Sequence, residues 1–311
     1  MSTESEHGPG IQDPGLNAVM GERRQLLNLA YRLLGSLADA EDAVQDTYAR
    51  WYAMSPDQRD AIEIPAAWLT TVASRICLDQ LRSARVRRER YVGEWIPEPL
   101  PEPGEWTSGG RGSLPADPAD RVTLDESVSM AFLVVLDAMT PAERVAFVLH
   151  DIFGYPFPEV ATITGRTPAA CRQLASHARR RVQESQLPPA PQAQRASLLR
   201  DFKRAWEAKD INALVGLLDP NATVVADGGG VVAAALTPIQ GADQIAAYLT
   251  GLAQRVPDLV LLERTVNGQP GLVGEYQGSI VAVFAFAVAD SHITHIWAVR
   301  NPNKLRPWTA H

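Results

Sequence analysis

The sequence predicts a multidomain protein: two all-α domains, the second carrying a helix-turn-helix, followed by a C-terminal α+β domain. Three observations predict it. Apolar residues recur at helical spacing through residues 17–91 and again through 121–187. A stretch holding Pro97, Pro99, Pro101, Pro103, Pro115 and Pro118 divides these two regions, and the run LPPAP at 187–191 closes the second. After helical patterns over 195–253, residues 257–299 alternate in the manner of strands, with β-branched residues and glycine turns. The expected plan is therefore a disordered N-terminus (1–16), a first helical domain (17–91), an acidic Pro-rich linker (92–120), a second helical domain (121–187) and an α+β domain (195–311).

Composition narrows the function classes. The chain is 46% hydrophobic and 21% charged, ordinary for a soluble protein. Its net charge of −7 argues against a nucleic-acid partner only if the charge is evenly spread. It is not: Arg82–Arg90 holds five arginines and one acid, and Arg166–Arg181 holds five arginines and no acid. Local basic clusters are the footprint of a DNA binder, although either run alone equally suits a solvated helix end. Cys77 and Cys171 fit no disulfide framework or zinc spacing and read as small buried hydrophobes. No motif calls for a metal or cofactor. No apolar run approaches the ~20 residues of a membrane span, so a cytoplasmic protein without membrane contact is expected.

In the first domain, Gly35-Ser36 breaks the chain between two helices. In the second of these, Ala40, Ala43, Val44, Thr47 and Trp51 form the inner face, and Glu41, Asp42, Gln45 and Asp46 fall opposite. Periodicity alone reads that acidic face as solvated. The helix beginning at Pro65, where a missing N–H costs little, buries Leu69, Val72, Ala73 and Ile76. Trp68, Thr71, Arg75 and Arg82 form another stripe; an aromatic interleaved with arginine suits single-stranded DNA, and Trp68 equally suits the core.

In the second domain, Thr140-Pro141 and Thr167-Pro168 are two helix starts of one kind, an N-cap followed by Pro at the first helical position. Phe157–Ile163 makes a short helix and Thr164-Gly165-Arg166 a tight turn, the layout of a helix-turn-helix. The last helix buries Cys171, Leu174, Ala175, Ala178 and Val182 and presents Arg172, Gln173, Ser176 and Arg180 outward. The N-terminal part of such a helix enters the major groove. Arg172 and Gln173 there have the chemistry to read guanine and adenine, with Arg179, Arg180 and Arg181 on phosphates and Arg166 and Thr167 at the helix start. A helical hairpin without DNA is the competing reading.

Together these segments resemble the extracytoplasmic-function class of RNA polymerase sigma factors. DAEDAVQDTYARW at 39–51 is similar to the family's polymerase-clamp helix. PAAWLTTVASRICLDQLRS at 65–83 resembles the helix that melts and captures the minus-ten element, and TPAERVAFVLHD with the helix-turn-helix resembles the domain that reads the minus-thirty-five element. The resemblance covers roughly residues 20–187 and implies roles residue by residue. Asp39, Glu41, Asp42, Gln45 and Asp46 become the polymerase-facing set. Trp68, Arg75, Asp79 and Arg82 become minus-ten contacts, with the loop Ser55–Pro65 for specificity.

The C-terminal region looks like the cone-shaped SnoaL-like α+β fold, an extension carried by one subgroup of these sigma factors. Three of the subgroup's marks are present: WIPEP at Trp95–Pro99 (Trp95 and Pro97 in particular), DGGG at Asp227, Gly228, Gly229 and Gly230, and NPNKL at Asn301, Pro302, Lys304 and Leu305. Asn303 stands where the family more often has Asp, and Val231 where a basic residue is common. Acid–base chemistry in a cone needs a carboxylate or histidine in an apolar site; Asp227, His292 and His295 are the candidates. The two histidines, three apart in a strand, are expected on opposite faces, so no catalytic residue is assigned. The resemblance implies instead a built-in regulator acting through the linker and the two motifs, without a separate anti-sigma protein.

The expected function is thus a sigma factor that binds core RNA polymerase and promoter DNA, modulated by its own C-terminal domain, with no substrate turnover and with any small-molecule ligand of the cone left open. The alternative is a helix-turn-helix regulator with a small-molecule-binding or enzymatic C-terminal domain.

Overall fold

The computed structural model describes residues 22–88, 91–102, 128–185 and 191–309. The expected disordered N-terminus, residues 103–120 of the expected linker and residues 121–127 of the expected second helical domain lie outside them.

The first helical domain contains α1 (Arg23–Leu34), α2 (Leu37–Tyr52), α3 (Pro56–Asp60) and α4 (Pro65–Arg88). Gly35 ends α1 in the left-handed conformation, at φ 70°. Ser36 then caps α2, its hydroxyl accepting from Asp39 N at 3.3 Å. The expected inner face of α2 is buried, as are Leu69, Ala73 and Ile76 of α4, while Val72 is half-buried.

The second helical domain contains α5 (Met130–Asp137), α6 (Pro141–Phe147), which runs on as a π-turn over Val148–Ile152, α7 (Phe157–Thr164) and α8 (Pro168–Ser185). Both Thr-Pro starts behave as caps. Thr140 and Glu143 form a capping box, and Thr167 Oγ accepts from Ala170 N at 3.2 Å. Gly165, at φ 68°, makes the turn of the helix-turn-helix. Cys77 and Cys171 are both buried and free, and burial pushes the Cys77 thiol up to about 12.

The two helical domains share one apolar core, running from Leu26 and Leu33 through Ile76 to Val148 and Val182. Arg144, only 2% exposed, fastens them. Its guanidinium donates to Leu33 O of α1 and to Asp137 of α5, each at 2.7 Å.

The C-terminal domain begins with α9 (Gln192–Ala208) and α10 (Ile211–Leu217). Then follow β1 (Leu218–Asp227), β2 (Ile239–Gln240), α11 (Ala242–Arg255), β3 (Val260–Val266), β4 (Gln269–Tyr276), β5 (Ser279–Ala289), β6 (His292–Val299) and α12 (Arg306–Thr309). The strand order is β2-β1-β6-β5-β4-β3. The β1–β6 pair is parallel and the others antiparallel. Phe202, Leu214, Ile245 and Leu249 of the helices pack on one face of the sheet, against Ile293 and Ile296. This is the α+β architecture expected.

The other face of the sheet is also covered. Val283, Ala285, Trp297 and Val299 pack against Ile96 of the expected linker, Met130 of α5 and Trp308 of α12. Residues 96–101 are accordingly buried. They form an extended strap seated on the sheet rather than a solvated tether.

One expectation is corrected. His292 and His295 do not point to opposite faces. The ladder between β5 and β6 shifts register at Ala287/Val288, and the extra residue lets Ile293 and Ile296, three apart, enter the same core. The two histidines therefore share the opposite side, where both are exposed and His295 stacks on Trp297.

Ile245 is fully buried at the centre of the helix-covered face. Ile245→Ala should destabilise the α+β domain by about 2–5 kcal/mol, read as a shift in its denaturation midpoint; a shift below about 1 kcal/mol is incompatible with this packing.

Candidate nucleic-acid interface and the strap beneath it

The acidic residues Asp39, Glu41, Asp42, Gln45 and Asp46 all lie exposed along α2, on the side away from its buried stripe. Their outward placement follows from the helical period alone, since the opposite face fills the core.

The reading face of α8 is likewise open. Arg166, Thr167, Arg172, Gln173, Ser176 and Arg180 are exposed. The Arg172 guanidinium lies over the ring of Phe157, the first residue of α7, at 5.4 Å from the centroid. On its far side that ring stacks with His150, centroids 3.8 Å apart. Arg179 differs: it is only partly exposed and pairs with Asp151 at 2.5 Å. Arg181 donates to Ala138 O at 2.9 Å. Two of the three arginines expected on phosphates are thus engaged within the domain, and Arg180 faces solvent.

The expected minus-ten residues divide in the same way. Trp68 is half-buried, meeting Trp51 edge to face with centroids 5.3 Å apart, so it belongs partly to the core. Asp79 and Arg82 are exposed and pair with each other at 3.1 Å, a contact worth little in water. Arg75 reaches across to the helix-turn-helix, donating to Thr162 O of α7 at 3.0 Å. Nearby, Tyr155 donates to Thr70 Oγ of α4 at 2.9 Å. α4 and the helix-turn-helix therefore touch each other.

The strap explains how the third domain meets them. WIPEP, DGGG and NPNKL, far apart in sequence, converge on one carboxylate. Asp227, at the end of β1, is 0% exposed. Its Oδ1 accepts from the Tyr91 hydroxyl at 2.6 Å and Gly229 N at 3.0 Å. Its Oδ2 accepts from Ile96 N at 3.0 Å and Lys304 Nζ at 2.7 Å. Lys304 also donates to Ile96 O, and its ammonium sits 4.0 Å from the centre of the Trp95 ring. Asn301 donates to the Tyr91 hydroxyl at 2.8 Å, and Trp308 donates to Pro99 O at 2.8 Å. A Cβ on Gly229 would meet the Asn301 side chain at 2.4 Å, and its φ of 63° is also unfavourable for other residues. Pro97, Gly228 and Leu305 are buried beside it, whereas Gly230 and Pro302 are exposed. The two departures from the family pattern fall outside it: Asn303 is exposed, and Val231 is 66% exposed.

The strap also grips the first helical domain through residues the sequence reading passed over. Glu98 N donates to Gly35 O at 2.8 Å, and Tyr31 donates to Glu98 O at 2.6 Å. The Glu98 carboxylate accepts from Leu37 N at 2.8 Å. Asn267, in the turn between β3 and β4, exchanges two bonds with Leu100: Leu100 N to its Oδ1 at 3.1 Å, and its own N to Leu100 O at 2.8 Å. It also donates to Tyr31 Oη at 2.9 Å. Asn267-Gly268 is legible in sequence as a hairpin turn; nothing local announces that its amide faces the strap.

Asp227, His292 and His295 do not converge as an acid–base set. Asp227 accepts from Tyr91, Ile96, Gly229 and Lys304, and the histidines stand on the outer side of β6. Among the described residues no group of side chains suits a metal ion, and no helix is long and apolar enough to cross a membrane.

Burial pushes the Glu98 carboxyl up to about 7, although hydrogen bonds from Leu37, Ser36 and Ala38 and the charge of Lys304 oppose it. Its ordinary value is 4.5, so between these limits the folded chain binds the proton more tightly than the unfolded chain. The stabilisation tied to that proton is complete below the lower limit and is lost as pH rises to the upper. Stability should therefore fall across this window, and the fall should be smaller in Glu98→Gln; equal slopes would exclude Glu98 as its source. Separately, Lys304→Met should cost about 3–5 kcal/mol by leaving Asp227 charged and unpaired. The pairing with Asp227→Asn should recover part of that loss in a denaturation series, whereas strictly additive losses would refute the coupling.

Comparison with known proteins agrees with this layout. Residues 18–87 match the family model for sigma-70 region 2, and residues 129–182 match that for sigma-70 region 4. The chain is 39% identical over 296 residues to the ECF RNA polymerase sigma factor SigJ of Mycobacterium tuberculosis, covering 91% of this chain and 90% of that one. It is 35% identical to a probable ECF RNA polymerase sigma factor, SigI, of the same organism, covering 96% and 97%. The crystal structure of Mycobacterium tuberculosis SigJ superposes with a TM-score of 0.73 at 34% identity, over 94% of this chain and 98% of that one.

Proposed function

The chain belongs to the extracytoplasmic-function RNA polymerase sigma factors, and from that premise we propose that it binds core polymerase through α2, reads a two-part promoter through α4 and α8, and is governed by its own SnoaL-like domain. One observation carries the last part. The sheet holds the strap that follows the first helical domain and, on the same face, Met130 of the first helix of the second. A change in how the sheet holds either one alters the placement of both DNA-reading domains.

The acidic face of α2 supplies five exposed polar side chains with no apolar patch among them. That suits an electrostatically steered docking site on a basic partner. In α8, Arg172 and Gln173 are the base readers, and Phe157 holds the Arg172 guanidinium close to the helix start. Arg180 anchors to phosphate. In α4, Arg75 is occupied by α7 in the free protein, so engagement of the minus-ten element requires the helix-turn-helix to move away. The fused domain takes the regulatory place of a separate anti-sigma partner.

Arg172→Ala should lose about 1–3 kcal/mol of discrimination at one promoter position; a uniform loss over all sequences would make Arg172 a phosphate contact. Reversal of Asp42 and Asp46 to Lys should abolish co-elution with core polymerase while leaving the circular dichroism spectrum intact. Retained co-elution would exclude this face as the polymerase site. Truncation before residue 195 should change transcription from a cognate promoter, and unchanged output would leave the third domain without a regulatory role.

A further inference from the structure

The strap does more than lie between domains: it finishes a helix. The first four N–H groups of a helix lack partners within it. In α2 the Ser36 hydroxyl takes the Asp39 N–H at 3.3 Å. The Leu37 N–H goes to Glu98 Oε2 at 2.8 Å. Glu98 comes from 61 residues further along the chain, yet its carboxyl oxygen accepts from the first N–H of the helix, one of the groups left without a partner there. Its seat is fixed by geometry: Glu98 is buried, and its backbone is held by Gly35 O and the Tyr31 hydroxyl. The hydroxyl of Tyr31 is itself held by Asn267 of the sheet. Burial pushes the Tyr31 phenol well above its usual range, so it remains a proton donor.

We propose that Glu98 is a positioning residue for polymerase docking: a cap lent to α2 by the strap, through which the SnoaL-like domain's hold on the strap is transmitted to the first turn of the polymerase-facing helix. The proposal rests on the assignment of α2 as the docking helix. The chain of contacts is short. Trp308 and Asn267 of the C-terminal domain hold Pro99 and Leu100, and these residues flank Glu98 on its C-terminal side. Lys304 and Asp227 hold Ile96 on the other side. Release of the strap from the sheet withdraws the cap, and Asp39, the first acid of the docking face, sits within the turn that then frays.

Hydrogen exchange on the full-length free protein tests this without polymerase. Glu98→Ala should speed exchange of the Leu37 amide roughly fivefold or more, the scale of a lost cap, while amides beyond Val44 keep their protection. Glu98→Gln, which retains an acceptor, should hold exchange near the wild-type rate. Trp308→Phe, which removes the bond to Pro99 and keeps an aromatic ring in the core cluster, should speed the same amide. Unchanged exchange in Glu98→Ala overturns the cap, and unchanged exchange in Trp308→Phe overturns the transmission. Loss throughout α2 in Glu98→Gln would mark a merely structural residue and also overturns the proposal. Core polymerase affinity, measured in parallel, should fall several-fold in Glu98→Ala and be kept in Glu98→Gln. If the exchange results hold but reversal of Asp42 and Asp46 leaves core binding intact, the docking assignment of α2 fails and the cap stands as a fold feature alone.

Discussion

The arrangement of this protein depends on one buried carboxylate. Asp227 ends the central strand β1 with no exposure to solvent, and a charge there is tolerated only because four donors meet it. Those donors come from the strap, the glycine loop and the C-terminal turn. Each therefore has to be in place for the others to be stable, and motifs spread over more than 200 residues become one unit. The carboxylate closes the ring between Tyr91 and Lys304; without it the Lys304 ammonium faces a carbonyl and two aromatic rings alone.

From that anchor the rest follows by packing. The strap lies along the outer face of the sheet, covering apolar side chains that an isolated domain would expose. α5 completes the cover, which brings the second helical domain onto the same sheet. Arg144 and the shared helical core then draw the two helical domains together. The consequence is an arrangement in which α4 and the helix-turn-helix are mutual partners. Arg75 donates to a carbonyl of α7, and under the proposed function promoter binding competes with that internal contact.

Much of this was legible in the residues. Thr140-Pro141, Thr167-Pro168 and Gly165 specify their caps and turn locally, so the helix-turn-helix could be placed to within a residue. The exposed faces of α2 and α8 follow from the 3.6-residue period, because one side of each helix is apolar and the other is not. The strand region was legible by alternation, but alternation failed at β6. A bulge has no fixed sequence signature, and Thr294, a half-buried β-branched residue, gave none. The fate of Arg179 and Arg181 was hidden for a different reason: whether an arginine faces DNA or an internal acceptor depends on where Asp151 and Ala138 fall in space.

The sequence by itself determined the elements, their caps, their outward faces and the membership of three separated motifs in one family pattern. Each of these depends on interactions within a few residues or on a period. What only the tertiary structure decided is who meets whom: that the proline-rich stretch is a buried strap, that Asp227 is a structural acceptor rather than a catalytic group, and that Glu98 finishes a helix beginning 61 residues before it. Hydrogen-bond satisfaction at a buried site is a long-range condition. A carboxylate's sequence neighbours do not reveal which distant donors will be brought to it.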